Sequence, residues 1–242
     1  MKKRITSILI IVTVLFVAAF LFLFGRTAKV VWFNVKPLKN YWNQRASLPV
    51  PENALWYVVL GDSAAQGVGS TNPEHSYVGR IADALAQKTG RPVHVVNLSI
   101  SGAKSRVVID YDLPLFRQLD LPADCVVTLE IGGNNVAAFN EVTFRSEMDQ
   151  IMSELPPQTV VADVPYFGGS ILKSREPIAV NAGMIVHEVA AKHNLTVAPL
   201  HKFTFENDNW RVYSGDRFHP SNYGYHNWFK AFKEPLELPE TN

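Results

Sequence analysis

Four short segments carry residue types suited to shared chemistry: Gly61-Asp62-Ser63, Asn97 to Ala103, Gly132-Gly133-Asn134-Asn135, and Asp216-Arg217-Phe218-His219-Pro220. A serine hydroxyl is a poor nucleophile until a neighbouring base takes its proton. His219 is the candidate base for Ser63. Asp216, three residues earlier, is the candidate for fixing the imidazole tautomer and stabilising the imidazolium that forms. Three residues of separation let both side chains of a turn or short helix reach one region, and Pro220 stiffens the exit. Each segment alone is a weak signal, and Ser63 alone reads as a plain turn residue. Their joint weight comes from position, because each follows a stretch predicted to be a strand.

Those strands alternate with helices. Leu55 to Leu60 is apolar and rich in β-formers, and Tyr77 to Lys88 has helical spacing closed by Gly90. Val93 to Leu98, Cys125 to Ile131, Thr159 to Val164 and Leu195 to Ala198 read as further strands. Arg106 to Leu119 reads as a poor helix broken at Pro114, with better helices at Glu141 to Leu155, Ile178 to His193 and Tyr223 to Phe232. Near-continuous apolar strands separated by helices imply a parallel sheet covered on both faces. The carboxyl ends of such strands converge, which would bring the four segments together.

The four segments resemble the SGNH hydrolases, also called GDSL esterases and lipases. Gly61-Asp62-Ser63 matches the family's nucleophile motif, with Ala64 in place of the usual leucine. Gly132-Gly133-Asn134-Asn135 matches Gly-x-Asn-Asp, with Asn135 in place of the aspartate, and Asp216 to His219 matches Asp-x-x-His. The resemblance covers about Trp56 to the C-terminus. It implies an α/β fold, a three-layer αβα sandwich with a parallel, flavodoxin-like sheet. It also implies catalytic Ser63, Asp216 and His219, with an oxyanion hole from the Ser63 and Gly102 amides and the Asn134 carboxamide. One such donor typically lowers a barrier by about 3–4 kcal/mol. Gly102 suits the role because a missing Cβ lets substrate approach the backbone. Asn135 raises two readings: its counterpart braces the loop, or it tunes Asn134. Asp62, beside the nucleophile, suits loop support better than base catalysis.

The N-terminus is of another kind. Positive Met1-Lys2-Lys3-Arg4 precedes an uncharged apolar run from Ile5 to Phe24. About 20 such residues span a hydrocarbon core of about 30 Å. No Ala-x-Ala pattern follows closely, so the run reads as an uncleaved signal anchor and transmembrane helix (residues 1–25) rather than a cleaved signal. A juxtamembrane segment and linker (26–53) and the hydrolase domain (54–242) would follow. The domain is expected outside the cytoplasm on a single-pass anchor, or secreted if the segment is cleaved. Trp32, Phe33, Tyr41 and Trp42 either line the lipid headgroups or cover the domain.

A net charge of +1 without a basic block gives nothing to draw the chain onto nucleic acid. The single cysteine, Cys125, reads as buried and inert. His75, His94, His187, His193, His201 and His226 form no metal-ligand pattern, so neither metal nor cofactor is expected. Gly67-Val68-Gly69-Ser70 lacks the lysine of a phosphate loop. Phe203, Phe205, Trp210, Tyr213 and Phe218 either line an acyl pocket or pack the loop carrying His219.

The sequence therefore points to a serine esterase cleaving an acetyl or other acyl group from an envelope glycan or small lipid through an acyl-Ser63 intermediate. With no large insertion to form a lid or acyl tunnel, small acyl groups are at least as well supported as long chains. The same acyl-enzyme could instead serve an acyltransferase, and Asn135 keeps open a catalytically silent envelope binding module. The oligomeric state is not legible in the sequence.

Overall fold

The computed structural model describes residues 2–28, 30 and 35–239, without the side chains of residues 2–9, 23 and 26. In chain order the helices and strands are α1 (Lys2–Ala28), α2 (Val35–Ala46), β1 (Leu55–Gly61), α3 (Ser63–Gln66), α4 (Tyr77–Thr89) and β2 (Val93–Asn97). They continue with α5 (Ser105–Val107), α6 (Leu113–Phe116), β3 (Val126–Glu130), α7 (Glu141–Met152) and β4 (Val160–Ala162). Then come α8 (Glu176–Lys192), β5 (Thr196–Ala198), α9 (Leu200–Glu206) and α10 (Asn222–Lys233). The five strands form one parallel sheet in the order β2-β1-β3-β4-β5. This is the flavodoxin-like order, in which the chain reverses direction beside β1.

Side chains alternate across each strand and build two cores. Val58, Leu60, Val127, Leu129 and Val161 pack with the segment around α5 and α6, and with α7 and α8. Tyr57, Val59, Val95, Val160 and Ala162 face the other way, onto α4 and α10. Both faces are thus covered, as the unbroken apolar strands require. Ser76 caps α4 through Gly79 N–H, and Gly90 ends it at φ 65°. The poor helix around Pro114 resolves into α5, a π-helical stretch from Val108 to Asp112, and α6. Cys125 is buried, with its thiol free.

The two N-terminal helices differ. On α1 the described side chains between Ile10 and Phe24 stand exposed. Among the described residues no helix is long and apolar enough to cross a membrane. Within the expected span, Ile5 to Phe24, the side chains of residues 5–9 and 23 are not among those described. The segment expected as a juxtamembrane linker instead contains α2, which packs on the domain. Trp42 is 1% exposed and donates Nε1–H to the Gln66 carbonyl at 3.0 Å. Tyr41 and Arg45 both bond Glu74. Lys39 Nζ donates to the Leu98 and Ser99 carbonyls at 3.4 and 3.0 Å. Tyr41 and Trp42 therefore belong to a covering segment, whereas Trp32 and Phe33 lie outside the described residues. α2 was missed because its apolar contacts, Leu38 and Trp42, are too few to show a stripe.

Candidate active site

β1 ends at Gly61, and the chain turns directly into α3, whose first residue is Ser63. Asp62 makes that turn possible: its Oδ1 accepts the Ala64 N–H at 2.9 Å and caps the helix. Its expected loop-supporting part is the one observed. Far along the chain, Asp216 Oδ1 accepts the N–H groups of Phe218 and His219 at 3.0 Å each, and the Ser214 hydroxyl at 2.9 Å. Those bonds fold the loop so that Asp216 Oδ2 accepts His219 Nδ1–H at 2.6 Å. With Nδ1 protonated, Nε2 is the acceptor, and the Ser63 hydroxyl donates to it at 2.8 Å. Two groups 156 residues apart thus meet in one hydrogen-bonded chain.

Gly69 permits this approach. A Cβ there would lie 2.4 Å from the Pro220 carbonyl and 3.0 Å from His219 Cβ, and its φ is 97°. The glycine-rich stretch Gly67 to Ser70 therefore serves the docking of the histidine loop. Burial pushes the Asp216 carboxyl up, but its bonds from His219 and the two amides outweigh burial and hold it below the usual carboxylate range. An ionised Asp216 is what an imidazolium at His219 needs.

The oxyanion candidates sit on the neighbouring strand ends. Gly102 has φ 80°, and a Cβ there would meet nothing within 4 Å. Glycine is demanded by the turn, and the open space leaves room for a substrate oxygen. Asn134 is placed differently: Nδ2 donates to Asp62 Oδ2 at 2.8 Å and to the Ala103 carbonyl at 2.9 Å. The Asn135 carboxamide bonds elsewhere. Its Oδ1 accepts Ser105 N–H, its Nδ2 donates to Ser105 Oγ, and that hydroxyl donates to Glu147. Bracing of the loop is the reading that holds.

The cavity at Ser63 measures about 300 Å³ including its mouth, and its walls include Gly133, Phe167, Phe218 and Trp228. Phe218 stacks on Phe167 with ring centroids 5.9 Å apart. Of the aromatic candidates, Phe218 lines this cavity and Tyr213 an adjoining one. Phe205 and Trp210 are exposed, and Phe203 packs against the core. Phe167 was missed, because no motif marks it. It is set by Glu176, whose Oε2 accepts Phe167 N–H while Oε1 bonds His201. His187 pairs with Asp163 and His193 with Asp149. Among the described residues no group of three or more metal-ligating side chains is assembled to hold an ion.

Three buried carboxyls beneath the nucleophile were also missed: Asp62 in part, Asp112 and Glu130. Asp112 Oδ2 accepts Gly61 N–H at 3.3 Å. Burial pushes Asp112 up to about 7, against the pull of that N–H and of Lys39.

A parallel α/β sheet whose strand ends present a Ser–His–Asp hydrogen-bonded chain defines a hydrolase of the serine type. Comparison narrows the class: the chain belongs to the GDSL-like lipase/acylhydrolase family, which it matches over residues 59–226, and is an SGNH-type serine hydrolase of ester bonds. Among solved structures it is similar in fold to an acetylxylan esterase from Geobacillus stearothermophilus, with 19% identity and a TM-score of 0.58 over 77% of this chain and 96% of that one. A lipase/acylhydrolase from Enterococcus faecalis gives 19% and 0.59 over 78% and 99%. A G-D-S-L family member from Veillonella parvula gives 17% and 0.63 over 75% and 97%. No curated relative matches the chain.

Proposed function

We propose that this chain is an esterase that removes a small acyl group, acetyl foremost, from an envelope glycan or small lipid through an acyl-Ser63 intermediate. The observation that carries the reading is the hydrogen-bonded line from Ser63 through His219 to Asp216. Ser63 Oγ attacks the ester carbonyl as its proton passes to His219 Nε2, and Asp216 stabilises the imidazolium. The carbonyl oxygen becomes an oxyanion facing the Ser63 and Gly102 amides and the Asn134 carboxamide. Collapse expels the alcohol, which takes the proton from His219. Water then attacks the acyl-enzyme, gives its proton to His219, and releases the acid as Ser63 recovers its hydroxyl.

A small acyl group is supported by the aromatic wall of Phe167 and Phe218 close to Ser63. The acetylxylan esterase of similar fold acts on an acetylated glycan by its description, which agrees with this choice. The intact hydrogen-bonded line favours catalysis over a silent binding module. The exposed apolar surface of α1 supports attachment to a membrane, since patches of that extent mark membrane or partner contacts, and placement of the domain outside the cytoplasm rests on the leading apolar segment alone.

The full chain in detergent should hydrolyse p-nitrophenyl acetate faster than butyrate, and butyrate faster than octanoate. Ser63→Ala should abolish turnover and labelling by a fluorophosphonate probe. Equal hydrolysis by both forms would remove Ser63 from the mechanism, and a preference for octanoate would overturn the small-acyl assignment. Digestion of the domain by protease added to intact cells would support the exported placement, and full protection would reverse it.

A further inference from the structure

The mechanism above uses no acid beneath the nucleophile, yet Asp62 and Glu130 are 5% and 2% exposed there. Parallel pairing of β1 with β3 sets Gly61 opposite Glu130, so Glu130 ends its strand at the level where the chain turns into Asp62. Both residues line the cavity that holds Ser63 and His219. The two buried carboxyls interact directly, each shifting the ionisation of the other. Two carboxylates so placed repel each other, and one proton held by the pair relieves that repulsion.

The surroundings decide which one. Burial raises both carboxyls, but at Asp62 the Ala64 N–H and the His219 charge oppose the rise, and Asn134 Nδ2 donates to it as well, whereas Glu130 has no such opposing donors. Glu130 Oε2 has no hydrogen-bond partner among the described residues. The groups facing the pair are the Tyr77 and Tyr225 hydroxyls, which stay neutral, then Asp112 and His219. Lys39 acts on Asp112 and on the Leu98 and Ser99 carbonyls, and among the described residues no lysine or arginine acts on Glu130. No fixed positive charge is thus placed to ionise Glu130.

We propose that Glu130 is a positioning residue: it remains the neutral acid, donates its proton to Asp62, and so holds Asp62 as the acceptor that aligns the Asn134 carboxamide at the oxyanion site. The proposal rests on the esterase reading. Burial, followed by the negative charge of Asp62, pushes Glu130 far above the usual carboxylate range. The pair then carries one negative charge instead of two. A second charge would repel Asp62, loosen Asn134, and oppose the oxyanion forming above it.

The test compares Glu130→Ala and Glu130→Gln in the full chain with p-nitrophenyl acetate. Glu130→Ala should lower kcat by about 10²- to 10³-fold with little change in KM, the loss that follows removal of one oxyanion donor. Glu130→Gln should restore most of it, because a neutral amide N–H replaces the acid O–H as donor to Asp62. Infrared difference spectra should show a protonated-carboxyl carbonyl band at neutral pH in the native chain that disappears in Glu130→Gln. Full kcat in Glu130→Ala, or no such band lost in Glu130→Gln, would overturn the proposal. If Glu130→Ala does not fold, the glutamine variant and the spectra still decide it. Activity persisting in Ser63→Ala would instead strike the esterase reading itself, so the two failures are distinguishable.

Discussion

Ser63, His219 and Asp216 stand already joined at 2.8 and 2.6 Å, whereas Asn134 has both N–H groups of its carboxamide held by Asp62 and Ala103. The proton-transfer arm is assembled before substrate arrives. The oxyanion arm is assembled only in part, with Gly102 facing open space and Asn134 bonded within the protein. To stabilise an oxyanion, Asn134 must share one N–H with it or exchange a partner. The arms are also built from different distances along the chain. The first arm closes across the whole domain, while the second is a set of adjacent strand ends braced by Asn135, Ser105 and Lys39.

The contrast predicts unequal costs. Asp216→Asn leaves a side chain of the same shape but removes the charge that fixes the His219 tautomer. Its kcat should fall by about 10⁴-fold. A loss below tenfold would show that the bonds to the Phe218 and His219 amides, rather than the carboxylate charge, are what the site needs. Asn134→Ala should cost about 10²- to 10³-fold in kcat with KM nearly unchanged. A smaller loss would mean that the carboxamide stays bonded to Asp62 and Ala103 throughout, leaving the Ser63 and Gly102 amides to hold the oxyanion.

Much of the first arm was legible because its chemistry is compact in sequence. Asp216 and His219 are three residues apart, and Ser63 ends an unmistakable apolar strand. The parallel sheet followed from strands apolar on both faces, such as Tyr57 to Leu60, which alternate between the two cores. What escaped has no local signal. Phe167 enters the cavity through a loop held by Glu176, and α2 docks through one tryptophan. Glu130 ends a strand that reads as uniformly apolar, and nothing in Leu129-Glu130-Ile131 says that its carboxyl will find Asp62. A buried acid is visible only once strand register sets its neighbours. The sequence also left two roles open for Asn135, and only its bonds to Ser105 separate them.

The smallest expected effect concerns Asp112, which supports the turn before Ser63 through Gly61 N–H. Its carboxyl is pushed up to about 7 in the fold, against about 3.9 for an unperturbed aspartate. Between those values the native state binds more protons than the unfolded chain, so stability falls as pH rises across that window. Above about 7 both states are ionised and the full penalty of a buried charge remains. Asp112→Asn keeps an oxygen that can accept from Gly61 N–H and removes the ionisation. Thermal unfolding should therefore show the variant matching the native chain near pH 4 and exceeding it by a few degrees, on the order of 2–4 °C per kcal/mol gained, at pH 8. An equal difference at both pH values would place the effect in packing instead of ionisation. A variant less stable at pH 8 would show that the Lys39–Asp112 attraction outweighs burial, making that pair a support for the oxyanion arm.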